Sequence, residues 1–243
     1  ASVGVFAETL NGRFRLTPHA FDFICRQLLV GRSIAENILN SSSLRKNLAP
    51  GVRPSEVFSW AMYDFANSGY TTVVITAVFN AYFVSVVARN EEWATFAWTA
   101  ALAVSYLLIM LTAPLIGAWA DAHAAKKRLL LVTTIGCVTF TAALALVGAG
   151  DLWLAFLLIV ASNYFFGTGE NLCAAFLPEL ARGKALGRVS GWGWSLGYLG
   201  GLLTLGLCLA YVTWAQAGGA SASHFVPVTM LITATLFALA SVP

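Results

Sequence analysis

The residues best placed to do chemistry in this chain are carboxylates and amides that lie inside long apolar stretches. Asp64 stands in the run Trp-Ala-Met-Tyr-Asp-Phe-Ala-Asn-Ser, and Asn67 and Ser68 follow it by three and four residues. That spacing places the three side chains on one face of a helix. Inserting a carboxylate into a bilayer costs roughly 2.5–3.5 kcal/mol, so Asp64 should face protein or water and contact a proton, a cation or an amine. The alternative is a structural hydrogen bond to a neighbouring helix.

A second carboxylate, Glu170, lies in a later apolar stretch together with two amides. Asn163 precedes it by two helical turns on the same face, and Asn171 follows it directly. Three strongly polar groups on one apolar helix predict a water-lined cavity. We expect Glu170 to carry a proton there and Asp64 to be the partner of an amine or a cation, with Asn80, near mid-membrane, as a further candidate. A hydrogen-bond cluster that only holds helices together is the alternative.

A short charged segment between two apolar runs combines an acidic residue with a basic cluster. Gly117 and Asp121 are followed by three consecutive basic residues, Lys126, Lys127 and Arg128. A carboxylate near basic side chains and a helix end can form charge-assisted contacts. We interpret this segment as a conformational gate that holds one state closed.

Glycines recur every four residues in a further apolar run, at Gly193, Gly197 and Gly201. Small residues at this spacing let a neighbouring helix backbone come close, which predicts a packing surface. Ser195 also completes a GxSxG pattern, which is typical of serine hydrolases. That pattern requires a strand–turn–helix context, which is absent here, and the candidate base, His224, is expected at the other end of the membrane.

Six apolar runs without Asp, Glu, Lys or Arg must position these side chains; Asp64 lies directly before the first run and Glu170 directly after the fourth, within the helices that these runs predict. They cover residues 65–88, 93–120, 129–150, 152–169, 189–219 and 225–243. Each is long enough to cross roughly 30 Å of hydrocarbon as a helix. The sequence therefore predicts an all-α membrane protein with six transmembrane helices.

The basic residues set the orientation of these helices. Seven of the fourteen Lys and Arg precede the first run, three lie between runs two and three, and three lie between runs four and five. Arg89 alone lies on the other side. Because basic residues stay on the cytoplasmic side, the N-terminus and the two basic connections should be inside.

Composition excludes several other classes of protein. Hydrophobic residues make up 58% of the chain and charged residues 10%, against roughly 25% charged in soluble domains. The net charge of +3 reflects membrane topology and lipid headgroups, so we expect no nucleic-acid partner. The four cysteines lack metal-ligand spacing, and the ATP-binding P-loop motif is absent, so we expect neither a metal nor another cofactor.

Two regions follow from this pattern. Residues 1–56 should form a cytoplasmic N-terminal region in which positions 21–29 can form an amphipathic surface helix. Residues 57–243 should form the six-helix transmembrane half-bundle. The chain starts without Met and stops directly after an apolar run, so we expect it to be a fragment of a longer protein.

The charged segment resembles the loop 2–3 signature of the major facilitator superfamily, Gly-x-x-x-Asp-x-x-Gly-Arg-Lys/Arg-x-x-Leu. Gly117, Asp121 and Lys126 match this signature. Ala124 and Ala125 replace the second Gly and the Arg, which puts the tight turn and one charge contact in question.

Three further segments resemble the vacuole-effluxer-like branch of that superfamily. The first is the pattern Trp-x-x-Tyr-Asp-(aromatic)-Ala-Asn-Ser at residues 60–68, and the others are Phe-Leu-Pro-Glu-Leu-Ala at 176–181 and the Gly-Trp-rich stretch at 189–201. The resemblance covers about residues 57–205 and keeps the family's order.

The resemblance implies a twelve-helix transporter of two six-helix halves, each built of two inverted three-helix repeats. Only the N-terminal half is present, so the missing C-terminal half is an expected partner beside membrane lipid and a small-molecule solute. Fungal members are implicated in exporting amino acids from the vacuole, so we expect alternating-access transport of a small solute, amino acids being one candidate. The expected location is the bacterial plasma membrane, or the vacuolar membrane in a fungus. A six-span intramembrane serine hydrolase and a non-transporting membrane scaffold are the alternatives.

Overall fold

The computed structural model describes residues 48–242, so the surface helix expected at positions 21–29 lies outside the described residues. Within them, six helices are long and apolar enough to cross a membrane. These are α1 (Pro54–Val87), α2 (Ala94–Ala122), α3 (Lys126–Leu146), α4 (Leu152–Leu180), α5 (Lys184–Ala217) and α6 (Ala222–Ala240). They coincide in number and order with the six apolar runs.

The helices extend beyond the apolar runs at the basic end. α3 begins at Lys126 and α5 at Lys184, so much of the expected loop is helical. Hydropathy marks where the hydrocarbon ends, whereas the backbone hydrogen bonds continue into the headgroup region through Ala, Leu, Lys and Arg, which favour helices. The basic cluster Lys126–Arg128 therefore forms the first turn of α3.

The first three helices and the last three pack in the same pattern. α1 packs mainly against α5 and α6, α4 packs mainly against α2 and α3, and α3 also contacts α6. If α1, α2 and α3 are exchanged with α4, α5 and α6, each of these contacts becomes another contact of the same group. Because α1 and α4 run in opposite directions, the two repeats are inverted. The all-α fold class, half of a twelve-helix major facilitator fold, is confirmed.

Contacts between α1 and α4 set the level of each residue in the membrane. The Trp60 indole donates a hydrogen bond of 2.8 Å to the Cys173 carbonyl. One turn further, a Cβ added at Gly169 would lie 2.6 Å from the Tyr63 hydroxyl. Near the middle of both helices, Tyr70 stacks on Phe166 with ring centroids 4.5 Å apart.

The basic connections meet at one end of the bundle. The Ala49 amide donates to the Leu180 carbonyl across 3.1 Å, which joins the segment before α1 to the α4–α5 connection. Lys126, at the α2–α3 connection, reaches Glu179 at the same place. Arg89 lies at the opposite end, beside Gly150.

The inside location of this basic end is testable by cysteine labelling. Lys127→Cys should react with a membrane-impermeant thiol reagent only from the cytoplasm, and Ser221→Cys, before α6, only from outside. Both positions are exposed, and the excess of basic residues is the physical reason for the orientation. Reaction from the opposite sides would overturn the topology.

The α2–α3 connection keeps a tight turn although it lacks the glycine of the family signature. Ala124 adopts a left-handed conformation with φ of 49°, and the Ala125 amide donates to the Ala120 carbonyl across 2.9 Å. A left-handed non-glycine residue costs roughly 1–2 kcal/mol. The turn is therefore formed under strain.

Ala124→Gly should relieve this strain. Part of the gain is lost to the greater freedom of glycine in the unfolded chain, so we expect a stabilisation of about 0.5–1 kcal/mol. Thermal unfolding in detergent should show a raised midpoint. Ala122→Gly, in the last turn of α2, is the matched control and should lower it. A lower midpoint for Ala124→Gly would contradict the strained turn.

Candidate functional site

Asp64 and Glu170 come together in the inner half of the bundle. They lie at the same level because the antiparallel contacts of α1 with α4 pair Tyr63 with Gly169 and Trp60 with Cys173. These contacts place Asp64 and Glu170 one residue beyond the paired positions Tyr63 and Gly169. Asp64 is half-buried and Glu170 is exposed, and neither forms a hydrogen bond or an ion pair with another described side chain.

Helix α5 supports Asp64 through its glycines. A Cβ at Gly197 would lie 2.8 Å from both the Asp64 Oδ2 and the Ser68 Oγ, and one at Gly193 would lie 2.6 Å from the Trp60 ring. A Cβ at Gly201 would lie 2.9 Å from the Thr72 Oγ1. All three glycines of the stripe therefore face α1, and their missing side chains leave room for the carboxylate.

The glycine with the tightest approach, Gly200, lies outside the predicted stripe. A Cβ at Gly200 would overlap the carbonyl oxygen of Phe65, a backbone atom that cannot rotate away. The sequence contains a signal for this contact, because Gly200 directly precedes Gly201 of the stripe. The pair widens the surface of small residues on α5.

The amides Asn67 and Asn163 do not join the carboxylates on the open side. Both are buried, and the Asn163 side chain donates to the Ser105 hydroxyl of α2. This corrects the expectation that Asn163 and Glu170 share a water-lined cavity, because α2 covers their common face at the level of Asn163. Likewise the core covers Asn67, while Asp64 turns towards α5.

The remaining two amides are less enclosed. Asn171 is exposed beside Glu170, and Asn80 is half-buried. Asn80 lies seven residues before the outer end of α1, so it belongs to the outer part of the membrane and not to its middle. The apolar run begins at residue 65, whereas α1 begins at Pro54. Asn80 is therefore further from the middle of the helix than from the middle of the run.

Lys126 connects three elements at the inner end. Its Nζ lies 2.8 Å from the Asp121 Oδ1, in the last turn of α2, and 2.7 Å from the Glu179 Oε1, at the end of α4. Glu179 was not among the predicted gate residues, because the separation of 53 residues carries no periodic signal. Lys127 and Arg128 are exposed and form no ion pair with other described residues.

A small cavity of about 90 Å³ adjoins this ionic contact. Gly117, Asp121 and Lys126 line it from one side, and Thr168 and Asn171 of α4 line it from the other. The Thr168 hydroxyl is buried and finds no partner among the described residues. The cavity therefore joins the predicted gate to the region of Glu170 and Asn171.

The geometry of Ser195 gives no support to a hydrolase. Ser195 lies within the continuous helix α5, and its hydroxyl donates to the Gly191 carbonyl across 2.8 Å. His224 lies at the outer start of α6. A nucleophile needs a base within hydrogen-bond reach, and this helix offers Ser195 none.

The described residues contain no group of three or more His, Cys, Asp or Glu side chains that could hold a metal ion. Cys137, Cys173 and Cys208 are buried on three different helices and are not paired in disulfides. They contribute to packing in the way of small apolar residues.

A protein family matches the middle of the chain, and one curated protein matches the greater part of it. The family described as vacuole effluxer Atg22 like matches residues 84–187. An uncharacterized MFS-type transporter, YxiO of Bacillus subtilis (strain 168), is 31% identical over 193 residues, 76% of this chain and 44% of that protein. The chain therefore spans less than half the length of this curated relative. No solved structure matches the chain. These matches support an MFS-type transporter of the vacuole-effluxer-like branch, and the inverted three-helix repeats and the Asp121–Lys126 contact agree with it.

Proposed function

We propose that this chain forms one half of a secondary transporter that moves a small polar solute across a membrane by alternating access. The observation that carries the proposal is the pair of carboxylates, Asp64 and Glu170, at one level of the inner half without an ionic partner among the described residues. Such residues are costly in a membrane and mark ion or solute pathways. The matched relative, itself named as a transporter, supports the same conclusion.

The two carboxylates divide the work through their electrostatic interaction. Asp64 is held at a fixed place against the glycines of α5, so it contacts the amine or cationic group of the solute. Glu170 is exposed and carries a proton. A negative charge on Asp64 repels a second negative charge on Glu170, which favours the protonated form of Glu170. A positive group bound at Asp64 offsets this repulsion, so Glu170 ionises more easily and releases its proton. Solute and proton therefore move in opposite directions, and amine-bearing solutes such as amino acids suit this arrangement.

The ionic contact around Lys126 acts as the inner gate. It joins α2, α3 and the end of α4, so it stabilises one relative position of the two three-helix repeats. The Asp121 and Glu179 side chains are 66% and 54% exposed. An ion pair at such an exposed site contributes roughly 0.2–1 kcal/mol to stability. A contact this weak can open in each cycle.

Membrane lipid and a second six-helix half are the partners in this proposal. Apolar side chains of α2 and α5 remain exposed on the described bundle; among the largest are Leu115, Trp194, Tyr198 and Leu202. In a two-half transporter the site lies between the halves, so part of this surface contacts the other half and part contacts lipid. The relative from a bacterium favours the bacterial plasma membrane.

The roles of the two carboxylates are separable by mutation. In the reconstituted transporter, Asp64→Asn should weaken solute binding roughly 10- to 100-fold at every pH, because a hydrogen bond to a charged group is lost. Glu170→Gln should retain solute exchange but lose accumulation driven by a pH gradient. Binding measured by calorimetry and flux measured with labelled solute distinguish the two effects.

Glu91→Gln is the matched control, since Glu91 is an exposed carboxylate in the outer α1–α2 connection. It should change neither binding nor coupling. If Glu170→Gln still accumulates solute against a pH gradient, Glu170 has only a structural role.

Removal of the gate contact should alter switching more than binding. Lys126→Ala removes two exposed ion pairs, so the balance between inward-open and inward-closed states should shift roughly 2- to 30-fold. Asp121→Asn should have a smaller effect in the same direction. The transport rate should fall while the solute affinity stays within about twofold.

Lys127→Ala removes a neighbouring positive charge that has no ion pair among the described residues, and it should leave the transport rate unchanged. Loss of binding in Lys126→Ala, with the protein still folded, would show that the contact belongs to the binding site.

A further inference from the structure

The segment before α1 is bound to the end of α4. Leu48 forms an antiparallel β-bridge with Ala181, and the Ala49 amide donates to the Leu180 carbonyl across 3.1 Å. Ala49 and Ala181 are buried, with 9% and 1% of their surfaces exposed, and Leu48 packs against the hydrophobic core. We name Leu48–Val52 the inner clamp, because it closes over the last residues of α4.

A tight turn directs the inner clamp onto α4. The Val52 amide donates to the Ala49 carbonyl across 3.2 Å, and Gly51, at the third position of this turn, has φ of 86°. Pro50 at the second position and a glycine with positive φ at the third are typical of a type II turn. The turn fixes the direction of the chain just before α1, which brings Leu48 and Ala49 against α4.

The second repeat has the same arrangement at the outer end. Before α4, the Asp151 amide donates to the Gly148 carbonyl, and Gly150, at the third position of that turn, has φ of 90°. The Gly150 amide donates to the carbonyl of Val87, the last residue of α1, across 3.1 Å. The Ala49 amide binds the last residue of α4 at the same distance. The inner clamp is therefore a part of the first inverted repeat.

The two turns differ in how the chain holds them. The outer turn lies between α3 and α4, so it is tied to the bundle on both sides, and the Arg89 guanidinium lies against Gly150. The inner clamp is tied by α1 alone, since the chain continues on its other side into residues 1–47. The inner clamp can therefore come away from α4 without unfolding any helix, whereas the outer turn cannot.

The inner clamp and Lys126 bind neighbouring residues. The Lys126 Nζ lies 2.7 Å from the Glu179 Oε1, and the clamp binds the next two residues, Leu180 and Ala181. Each contact restricts the same short piece of backbone, so each reduces the conformational entropy that is lost when the other forms. A coupling of this kind is reciprocal by thermodynamic necessity.

We propose that the inner clamp is a positioning element of the inner gate: it holds the end of α4 where Glu179 reaches Lys126, so that opening of either contact favours opening of the other. The proposal rests on the proposed function only in the role of the Lys126 contact as a gate. It connects the N-terminal region directly to that gate, because residues 1–47 continue into Leu48.

A disulfide tests the pairing of the clamp. Because the Ala49 amide binds the Leu180 carbonyl, Leu48 and Ala181 form a non-hydrogen-bonded antiparallel pair, whose Cα atoms are typically about 4.5 Å apart. Disulfides accept separations of about 4.4–6.8 Å. With the four native cysteines replaced, Leu48→Cys combined with Ala181→Cys should therefore cross-link under mild oxidation, measured as loss of free thiols. Failure to cross-link would overturn the proposal.

Opening of the clamp is measured with Ala181→Cys alone in the same background, because a buried thiol reacts with a maleimide only while it is locally exposed. Gly51→Ala strains the turn and should raise the reaction rate about 5- to 30-fold. Gly219→Ala is the matched control and should leave the rate unchanged. Gly219 has φ of 80° and, like Gly51, has no atom within 4 Å of an added Cβ, but it lies in the outer α5–α6 connection. Ala49→Cys, on the clamp itself, is a second reporter should Ala181→Cys disturb the fold.

Lys126→Ala tests the coupling. Loss of the ion pair with Glu179 should raise the reaction rate of Ala181→Cys about two- to fivefold. Arg188→Ala is the control, since Arg188 is exposed near the inner start of α5 and forms no ion pair within residues 48–242. It should leave the rate unchanged.

The controls decide between the possible outcomes. Equal rates in Lys126→Ala and Arg188→Ala would overturn the coupling, and equal rates in Gly51→Ala and Gly219→Ala would overturn the clamp. None of these measurements needs a solute. A coupled clamp in a protein whose Lys126→Ala variant transports at the native rate would contradict the proposed gate alone.

Discussion

The structure depends on one constraint, which is that a polar group in hydrocarbon must have a partner or reach water. Two kinds of polar residue result. Thr141 and Ser162 share a hydrogen bond of 2.9 Å between α3 and α4, and Asn163 donates to Ser105; these hold helices together. Asp64 and Glu170 have no such partner among the described residues and lie where the bundle is open. The side-chain oxygens of Asn67 and Asn163 are nevertheless buried without a partner in the described part of the chain, so exposure separates these amides from the carboxylates more clearly than hydrogen bonding or residue type does.

The two inverted repeats share a topology but differ in chemistry. Glycines bring α5 close to α1 at four levels, the last one between Gly69 and Thr204, whereas the equivalent pair, α2 and α4, has one such approach, between Gly167 and the Ile109 side chain. An isoleucine side chain can move more easily than a backbone carbonyl. The α1–α5 pair thus has the closest glycine contacts of the described bundle, and Asp64 lies on it. Glu170 lies on α4 with an exposed side chain, which suits its proposed proton exchange.

Sequence predicted the six helices and their order, because the lengths of apolar runs determine where a helix crosses the membrane. The level shared by Asp64 and Glu170 is given by the contacts of α1 with α4. Sequence did not predict which faces are covered. Asn67 and Asn163 were assigned to an open face by helical spacing, but α2 and the core cover them, and spacing within one helix contains no information about its neighbours. In α1, residues Thr71–Ala77 and Phe83–Val87 are π-helical, so an assignment made with 3.6 residues per turn loses its phase after Tyr70, which affects Asn80. Glu179 belongs to the same class of omission, since its partner Lys126 is distant in sequence.

The energy of the inner gate limits what drives the cycle. Two exposed ion pairs at Lys126 contribute together no more than about 2 kcal/mol, which changes a two-state ratio at most about 30-fold. Moving a conformational balance from one side fully to the other requires about 5.5 kcal/mol of differential binding. Under the proposed function, the contact around Lys126 therefore biases the transporter but cannot lock it. The larger share of the driving energy then comes from solute binding at the half-buried Asp64, where a charge interacts more strongly than it does at the exposed inner surface.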